Sequence, residues 1–513
     1  MNKGQIVLTL TLSLFAASVA WAQGDQNPPP SSAPAPAFGQ ENPAPPVSEN
    51  PPISAIDQPG LEPHAAPESF LLPGLHFSES VDSNVANSVG SSSTGAIERG
   101  LGSLTLQKLW KNYAVAADYI GGVSYYNEQG TGLQQLEQFD FDNRISWKRG
   151  QLAIRDSFSY LPEGTFGFSS YGGGGAYSAG LGSMGSGMLG AGAFGGGSAF
   201  NGANGVSLGE VPRLNNIALV DVVESLTPKS SITAAVGYGV VHFNGQPAPI
   251  AGVPGNISFI GSYEESVQVA YDRILNARDQ VALSYGYQGF SFSEEGTAFH
   301  SNVVQAMYGH RISGRMNLTI GAGPQFTHIA EAPVVCTFLG FPLNVPLSQC
   351  VASGGTPLVL HQTANHIGLA GSISLQYKFP KTTLSMVYQR FNTSGGGVFA
   401  GALSDTVHID ARRPLSRVWE SFANLGFSKN SQVQVAGSTV NASKFTYSYA
   451  GVGLHRQFGP SLRGFVSYQF NYLTFNSSCP VPSVASGTPC SSISQRHVGS
   501  IGVDWTPRPI RLD

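Results

Sequence analysis

Residues 113–125 read YAVAADYIGGVSY and alternate as a β-strand does. The odd positions carry Tyr, Val, Ala, Tyr, Gly, Val and Tyr, whereas Asp118 and Ser124 lie at even positions. Because successive side chains of a strand point to opposite faces, this segment has one apolar face, with aromatic residues at both ends, and one face with polar residues. The same alternation recurs in the segments 316–326, 366–379, 461–475 and 496–505.

About eighteen such segments, most of them roughly 10 to 14 residues long, lie between residues 74 and 507, and short and long connections separate them alternately. The short connections fall near residues 111, 149, 228, 277, 313, 380, 414 and 459. A soluble sandwich shows the same alternation along its strands, so the asymmetry of the turns and the length of the strands decide between the two folds. We therefore predict an all-β chain, a single transmembrane antiparallel up-and-down β-barrel of about eighteen strands, with sixteen as the alternative.

Both ends of the chain differ from this pattern. An apolar run follows Lys3 and ends at small residues before Gln23, which predicts a cleaved signal peptide over residues 1–22 and hence export. Fourteen of the 33 prolines lie within residues 23–73, so we predict a Pro-rich, extended and disordered linker there, either a periplasmic spacer or an unselected tail. The barrel is predicted over 74–507 and a C-terminal tail over 508–513.

The last predicted strand alternates His497, Gly499, Ile501, Val503 and Trp505. Here the chain resembles bacterial outer-membrane β-barrel proteins, whose last strand typically closes on a C-terminal aromatic residue. In this chain residues 506–513 follow that aromatic, which is a departure from the pattern. The resemblance covers the architecture of residues 74–507 and identifies no subfamily; it implies a bacterial outer-membrane location and lipid as the surrounding partner.

Two other features lie in the predicted long loops. The four cysteines fall as two local pairs, which predicts disulfides between Cys336 and Cys350 and between Cys479 and Cys490 in an exported chain. A metal site is disfavoured because no Cys-x-x-Cys spacing is present. The loop 161–212 is rich in glycine, with eighteen glycines and no charge between residues 164 and 209; it either packs inward or against other loops, or is a mobile tether.

The predicted strand number implies a water-filled bore, and passive, porin-like passage of small polar solutes is the function we expect. Charges of both signs on the predicted inner face argue against strong ion selectivity. The residues predicted to line the pore are Asp140, Asp142, Arg144, Arg155, Glu264, Gln268, Asp272, Lys378, Glu420, Arg463 and Gln469.

Other functions stay open at this point. The barrel could serve a structural or adhesive role through its long loops, or dock periplasmic or cell-wall partners through residues 23–73. An enzyme is disfavoured, because no acid, base and nucleophile can be assembled, and neither a cofactor nor a metal is expected. The net charge of -4 gives no basis for binding nucleic acid. The oligomeric state is left open.

Overall fold

The computed structural model describes residues 52–55, 69–85, 93–127, 132–161, 212–244, 261–292, 297–331, 334–338, 341–343, 356–359, 362–393, 401–433, 444–475 and 493–512. All of them belong to one compact unit, residues 44–513. The predicted signal peptide, most of the predicted linker, nearly all of the Gly-rich loop, and Cys350, Cys479 and Cys490 lie outside the described residues. The signal peptide and the disulfides therefore stay predictions.

The described residues form β-strands joined by turns. The strands are β1 Phe70–Asp82, β2 Gly95–Leu109, β3 Tyr113–Tyr126, β4 Gly132–Trp147, β5 Gly150–Leu161, β6 Arg213–Thr227, β7 Ser230–Phe243, β8 Ser262–Ile274, β9 Asp279–Phe292, β10 Ala298–Ser313, β11 Met316–Glu331, β12 Val334–Phe338, β13 Phe341–Leu343, β14 Thr356–Val359, β15 Gln362–Lys378, β16 Thr383–Thr393, β17 Ala402–Pro414, β18 Trp419–Gln432, β19 Lys444–Gln457, β20 Leu462–Phe475, β21 Ile493–Trp505 and β22 Ile510–Arg511.

Eighteen long strands close into one ring. Each pairs antiparallel with its neighbour in the chain, and β15 follows β11 because β12 to β14 form a separate three-stranded sheet within one long connection. The ring closes where β1 pairs with β21, from Leu75 opposite Trp505 to Asp82 opposite Val498. The predicted all-β, eighteen-stranded antiparallel barrel is confirmed.

The connections alternate in length around the ring. Short turns occupy residues 110–112, 148–149, 228–229, 275–278, 314–315, 379–382, 415–418 and 458–461, close to each predicted position. Every one of them lies at the same end of the barrel, because each precedes a strand that runs toward the long connections. We call this end the short-turn end; β1 starts there and β21 finishes there.

Side chains alternate between the two faces of the wall. Along β8, Glu264, Gln268, Ala270 and Asp272 are buried, whereas the odd positions from 263 to 271 are exposed and mostly apolar. In a closed barrel the buried set of alternate residues faces the interior, and the exposed set faces the surroundings. Exposed aromatic residues lie at or beside the short turns: Trp110, Tyr113, Trp147, Phe379, Trp419, Phe458 and Trp505. Such a girdle marks the level of a membrane interface.

No helix among the described residues is long and apolar enough to span a membrane.

The barrel extends slightly beyond the predicted bounds. β1 begins at Phe70, four residues before the predicted start, and includes Pro73. β21 pairs with β1 only from Leu75 onward, so Pro73 lies where one edge of β1 lacks a continuous partner, a position at which a sheet tolerates proline. The predicted C-terminal tail likewise contains β22, which pairs Ile510 and Arg511 with the first residues of β1.

Candidate functional site: the barrel interior

Strand parity places all eleven residues predicted to line a pore on the inner face of the wall. Seven of them are buried there: Asp140, Asp142, Arg155, Glu264, Gln268, Asp272 and Gln469. Arg144, Lys378 and Arg463 are partly exposed, and Glu420 is exposed beside the short turn 415–418. The eleven residues thus differ in exposure and in their position along the barrel axis. That they line an open pore remains a proposal.

Ion pairs neutralise much of the inner charge on β4, β5 and β6. The Nε atom of Arg155 lies 3.4 Å from a carboxylate oxygen of Asp142 and 3.4 Å from one of Asp221. Arg144 donates to both oxygens of Asp142, with its Nη2 atom 2.8 Å from Oδ2. Asp142 and Arg155 are directly opposite each other on neighbouring strands, which holds the pair in place. Sequence reasoning did not find Asp221, the third member of this group.

A second acidic group lies beside this cluster. Asp118 on β3 is the cross-strand partner of Asp140 on β4, so two carboxylates share one stretch of inner wall. Neutral donors contact both of them: Thr105 donates to Asp118 at 2.8 Å, and Ser157 donates to Asp140 at 2.6 Å. The inner face therefore presents local groups of both signs rather than a ring of one sign.

Buried polar contacts also join β1 to β21, where the ring closes. At the short-turn end, Asp504 contacts His76 at 3.0 Å and Arg463 at 3.4 Å. At the opposite end, Arg496 donates from Nε to Asp82 at 2.6 Å. Apart from Arg463, sequence reasoning missed these residues. The polar even positions of the last strand were the available signal, since the prediction rested on its apolar odd positions.

Near the long-connection end, one strand contacts strands of the wall that are not its neighbours. Pairing between β15 and β16 stops at Gly371 and Arg390, and β16 continues alone on that side. Asn392 of β16 then donates to Thr327 at 2.8 Å and to Ser301 at 3.3 Å, although both belong to strands beyond β15. The end of β16 therefore crosses the inner side of β15 and contacts the β10 and β11 wall.

Apolar contacts at this end also join parts of the wall that are not neighbours. Phe290, Phe292, Phe299 and Ile329 form a buried cluster on the inner face of β9, β10 and β11, and Val433, just after β18, packs against it. Gly401, before β17, lies so close to Phe299 that an added Cβ atom would be 2.5 Å from its ring.

Residues 52–55 lie inside the barrel, within the segment predicted as a disordered linker. Ile53, Ser54 and Ala55 are only 2%, 1% and 5% exposed. Ser54 binds Asp272, Thr233 and Gln268 on the inner wall. Composition alone does not reveal these contacts, because the polar groups of residues 52–55 find their partners on strands that are distant in the sequence.

The closed ring, its apolar outer face with an aromatic girdle, and its polar inner face define a class of fold: the chain is an eighteen-stranded transmembrane β-barrel. No family model matches the chain, and no curated protein matches it.

Solved structures similar to this chain include two from Pseudomonas aeruginosa. The outer membrane protein opdK is 10% identical, with a TM-score of 0.37, and the match covers 85% of this chain and 98% of that one. OccK2 (OpdF) is 9% identical, with a TM-score of 0.38, and the match covers 86% and 98%. The ferric-catecholate import receptor Fiu from E. coli K12 is 9% identical, with a TM-score of 0.41, and the match covers 86% and 82%.

Proposed function

We propose that this barrel is a channel for the passive passage of small polar solutes across the outer membrane. The observation that carries the proposal is a closed ring of eighteen strands whose inner face is polar. Barrels of sixteen to eighteen strands are wide enough for an aqueous channel, whereas eight strands leave an interior that side chains fill.

The pairing of the inner charges supports weak ion selectivity. Arg155 lies between Asp142 and Asp221, and Arg463 lies 3.4 Å from Asp504, so neighbouring groups offset each other. Selective pores usually present rings of one sign. Small neutral solutes, with ions of either sign, are therefore the expected cargo.

Single-channel recording of the purified chain in planar bilayers tests this function. We expect discrete conductance steps with little preference between potassium and chloride. Reversal of the partly exposed charge in Arg463→Glu should shift the ion preference toward cations and leave the size limit for neutral sugars unchanged, because the field changes and the width does not. Arg508→Glu is the matched control, since that residue follows the last long strand. Absence of conductance from correctly folded barrels, both the intact chain and a chain that lacks residues 52–55, contradicts the proposal.

A structural or adhesive barrel is the second candidate, and residues 52–55 inside the interior favour it, because a barrel that needs no bore can be filled permanently. Such a barrel stays silent in bilayers even after these residues are deleted. Docking of a periplasmic partner through residues 23–73 remains a separate possibility, which co-purification with and without that segment tests.

A further inference from the structure

A small polar pocket lies on the inner wall where β7 and β8 approach the short-turn end. Thr233 is near the start of β7, and Gln268 and Asp272 are in the second half of β8. Ser54 fills this pocket: its backbone N–H donates to Asp272 at 3.1 Å, and its hydroxyl hydrogen-bonds to Thr233 at 2.8 Å and donates to the other Asp272 oxygen. Its carbonyl oxygen accepts a bond from Gln268 at 3.2 Å.

The segment that carries Ser54 is folded as a tight turn. The N–H of Ala55 donates to the carbonyl of Pro52 at 3.2 Å, which closes the turn around Ser54. Every polar group of Ser54 thus has a partner, and burial costs this residue none of the hydrogen bonds it would make in water. Because every donor and acceptor of Ser54 is matched, the contact has the character of a specific binding site rather than of nonspecific packing.

An apolar pocket beside it holds Ile53. Ile53 forms a buried cluster with Ala282 of β9 and Met307 of β10. Gly309 of β10 faces the same side chain, and a Cβ atom added there would lie 2.9 Å from the Cγ2 atom of Ile53. The absence of a side chain at position 309 leaves room for Ile53, so the wall is shaped to this segment in its apolar part as well.

The pocket lies on the inner wall at the short-turn end of the barrel. The docking strands are β7 to β10, and β10 is nine strands from β1 in a ring of eighteen, on the opposite side of the barrel. Thr233, Asp272 and Gly309 all lie in the parts of their strands that are nearest the short-turn end. The docked residues therefore occupy inner space at that end.

We propose that this pocket on β7 to β10 is a binding site for the chain's own Ile53-Ser54 turn, and that the docked turn obstructs the short-turn end of the bore. This inference rests on the proposed function, because an obstruction has meaning only for a channel. Release of the turn opens that end, and its return closes it. The ligand of the site is a peptide turn with an aliphatic residue followed by serine.

Disulfide trapping tests the docking without reference to conductance. Since the Ser54 and Thr233 oxygens are 2.8 Å apart, the double variant Ser54→Cys/Thr233→Cys should cross-link on mild oxidation, and mass spectrometry should find the linked peptide. The matched control Ser54→Cys/Ser500→Cys places the second thiol on the inner face of β21 and should not cross-link. Adding Gly309→Leu to the first pair should greatly reduce its yield, because leucine takes the space of Ile53. No linkage at 54–233, or equal linkage in the control, overturns the docking.

Conductance tests the obstruction. Deleting residues 52–55 should raise the unitary conductance at least about two-fold, since the part of the bore that the docked turn obstructs at the short-turn end widens while the wall is unchanged. Deleting residues 44–47 is a control of equal length that leaves the turn in place. The oxidised double-cysteine variant should keep the low conductance of the intact chain.

Equal, measurable conductance of the intact chain and the 52–55 deletion overturns the obstruction and leaves the channel standing. If neither chain conducts, the channel is overturned and the obstruction with it, while the cross-link reports on the docking independently.

Discussion

Asp82 and Arg496 join the first and last long strands through an ion pair inside the barrel. Asp82 is 0% exposed, and the Nε atom of Arg496 donates to it at 2.6 Å. A buried carboxylate that loses its cationic partner is left with an uncompensated charge, which costs far more than the pair contributes. The seam that closes the ring therefore depends on both residues being present.

We predict that Arg496→Met lowers the free energy of unfolding by about 3 kcal/mol. Urea titration in detergent micelles, followed by tryptophan fluorescence, measures the change. Adding Asp82→Asn to this variant should recover much of the loss, because the buried charge is removed together with its partner. The more exposed pair of Arg390 and Asp405 is the comparison, and Arg390→Met should cost about 1 kcal/mol or less. Equal losses for both arginines would contradict this account of the seam.

Among the described residues, two glycines have a positive φ, and they differ in their surroundings. Gly132, with φ of 59°, has no atom near the position of an added Cβ, whereas Gly401, with φ of 91°, faces the ring of Phe299. We predict that Gly132→Ala costs about 1 kcal/mol from backbone strain alone and that Gly401→Ala costs distinctly more. The same urea titration compares them. Phe299→Leu should reduce the excess loss in Gly401→Ala; if it does not, Phe299 is not the cause.

Each long strand presents an apolar face outward. Val236 lies near the middle of β7 and is exposed on that face. Because the outer face meets lipid at this depth, we predict that Val236→Arg lowers the folding stability in lipid vesicles by roughly 2 to 4 kcal/mol. Val236→Leu keeps the position apolar and should have little effect. An arginine that is tolerated as well as leucine would mean that this face meets water.

Strands and turns could be read from the sequence because their signals are local. Alternation within β3 or β11 involves neighbouring residues, and each short turn interrupts it at a fixed place. Contacts inside the barrel carry no such signal. Ser54 and Asp272 are 218 residues apart, and the approach of Asn392 to Ser301 depends on where β16 leaves β15. Neither contact can be predicted before the arrangement of the strands is known.

The same limit applies to the candidate site. Parity along each strand was enough to place Asp142, Arg155 and Asp272 on the inner face. It could not reveal that Arg155 also contacts Asp221, or that Asp272 binds a serine from the predicted linker. Parity fixes the face of a residue, whereas its partner depends on the register of several strands together.

Closure of the ring joins the eighteen long strands into one hydrogen-bonded sheet. Each of the eighteen long strands pairs with a neighbour on each side over at least part of its length, so the ring is closed and its two faces meet separate environments. The side chains at the polar positions of each strand therefore face an enclosed interior, and the side chains at the apolar positions face lipid. Neither the proposed passage of solutes nor the docking of residues 52–55 is possible without that arrangement.

Spin labels placed one at a time along residues 263–272 of β8, in the chain reconstituted into lipid vesicles, test this claim most directly. Unheated variants that still migrate faster on gels than heated ones qualify as folded, and the unsubstituted chain gives the background from native cysteines. The account predicts that oxygen, which concentrates in lipid, relaxes labels at 263, 265, 267, 269 and 271 strongly and labels at 264, 266, 268, 270 and 272 weakly. Oxygen accessibility without a period of two, or highest at the even positions, would contradict it.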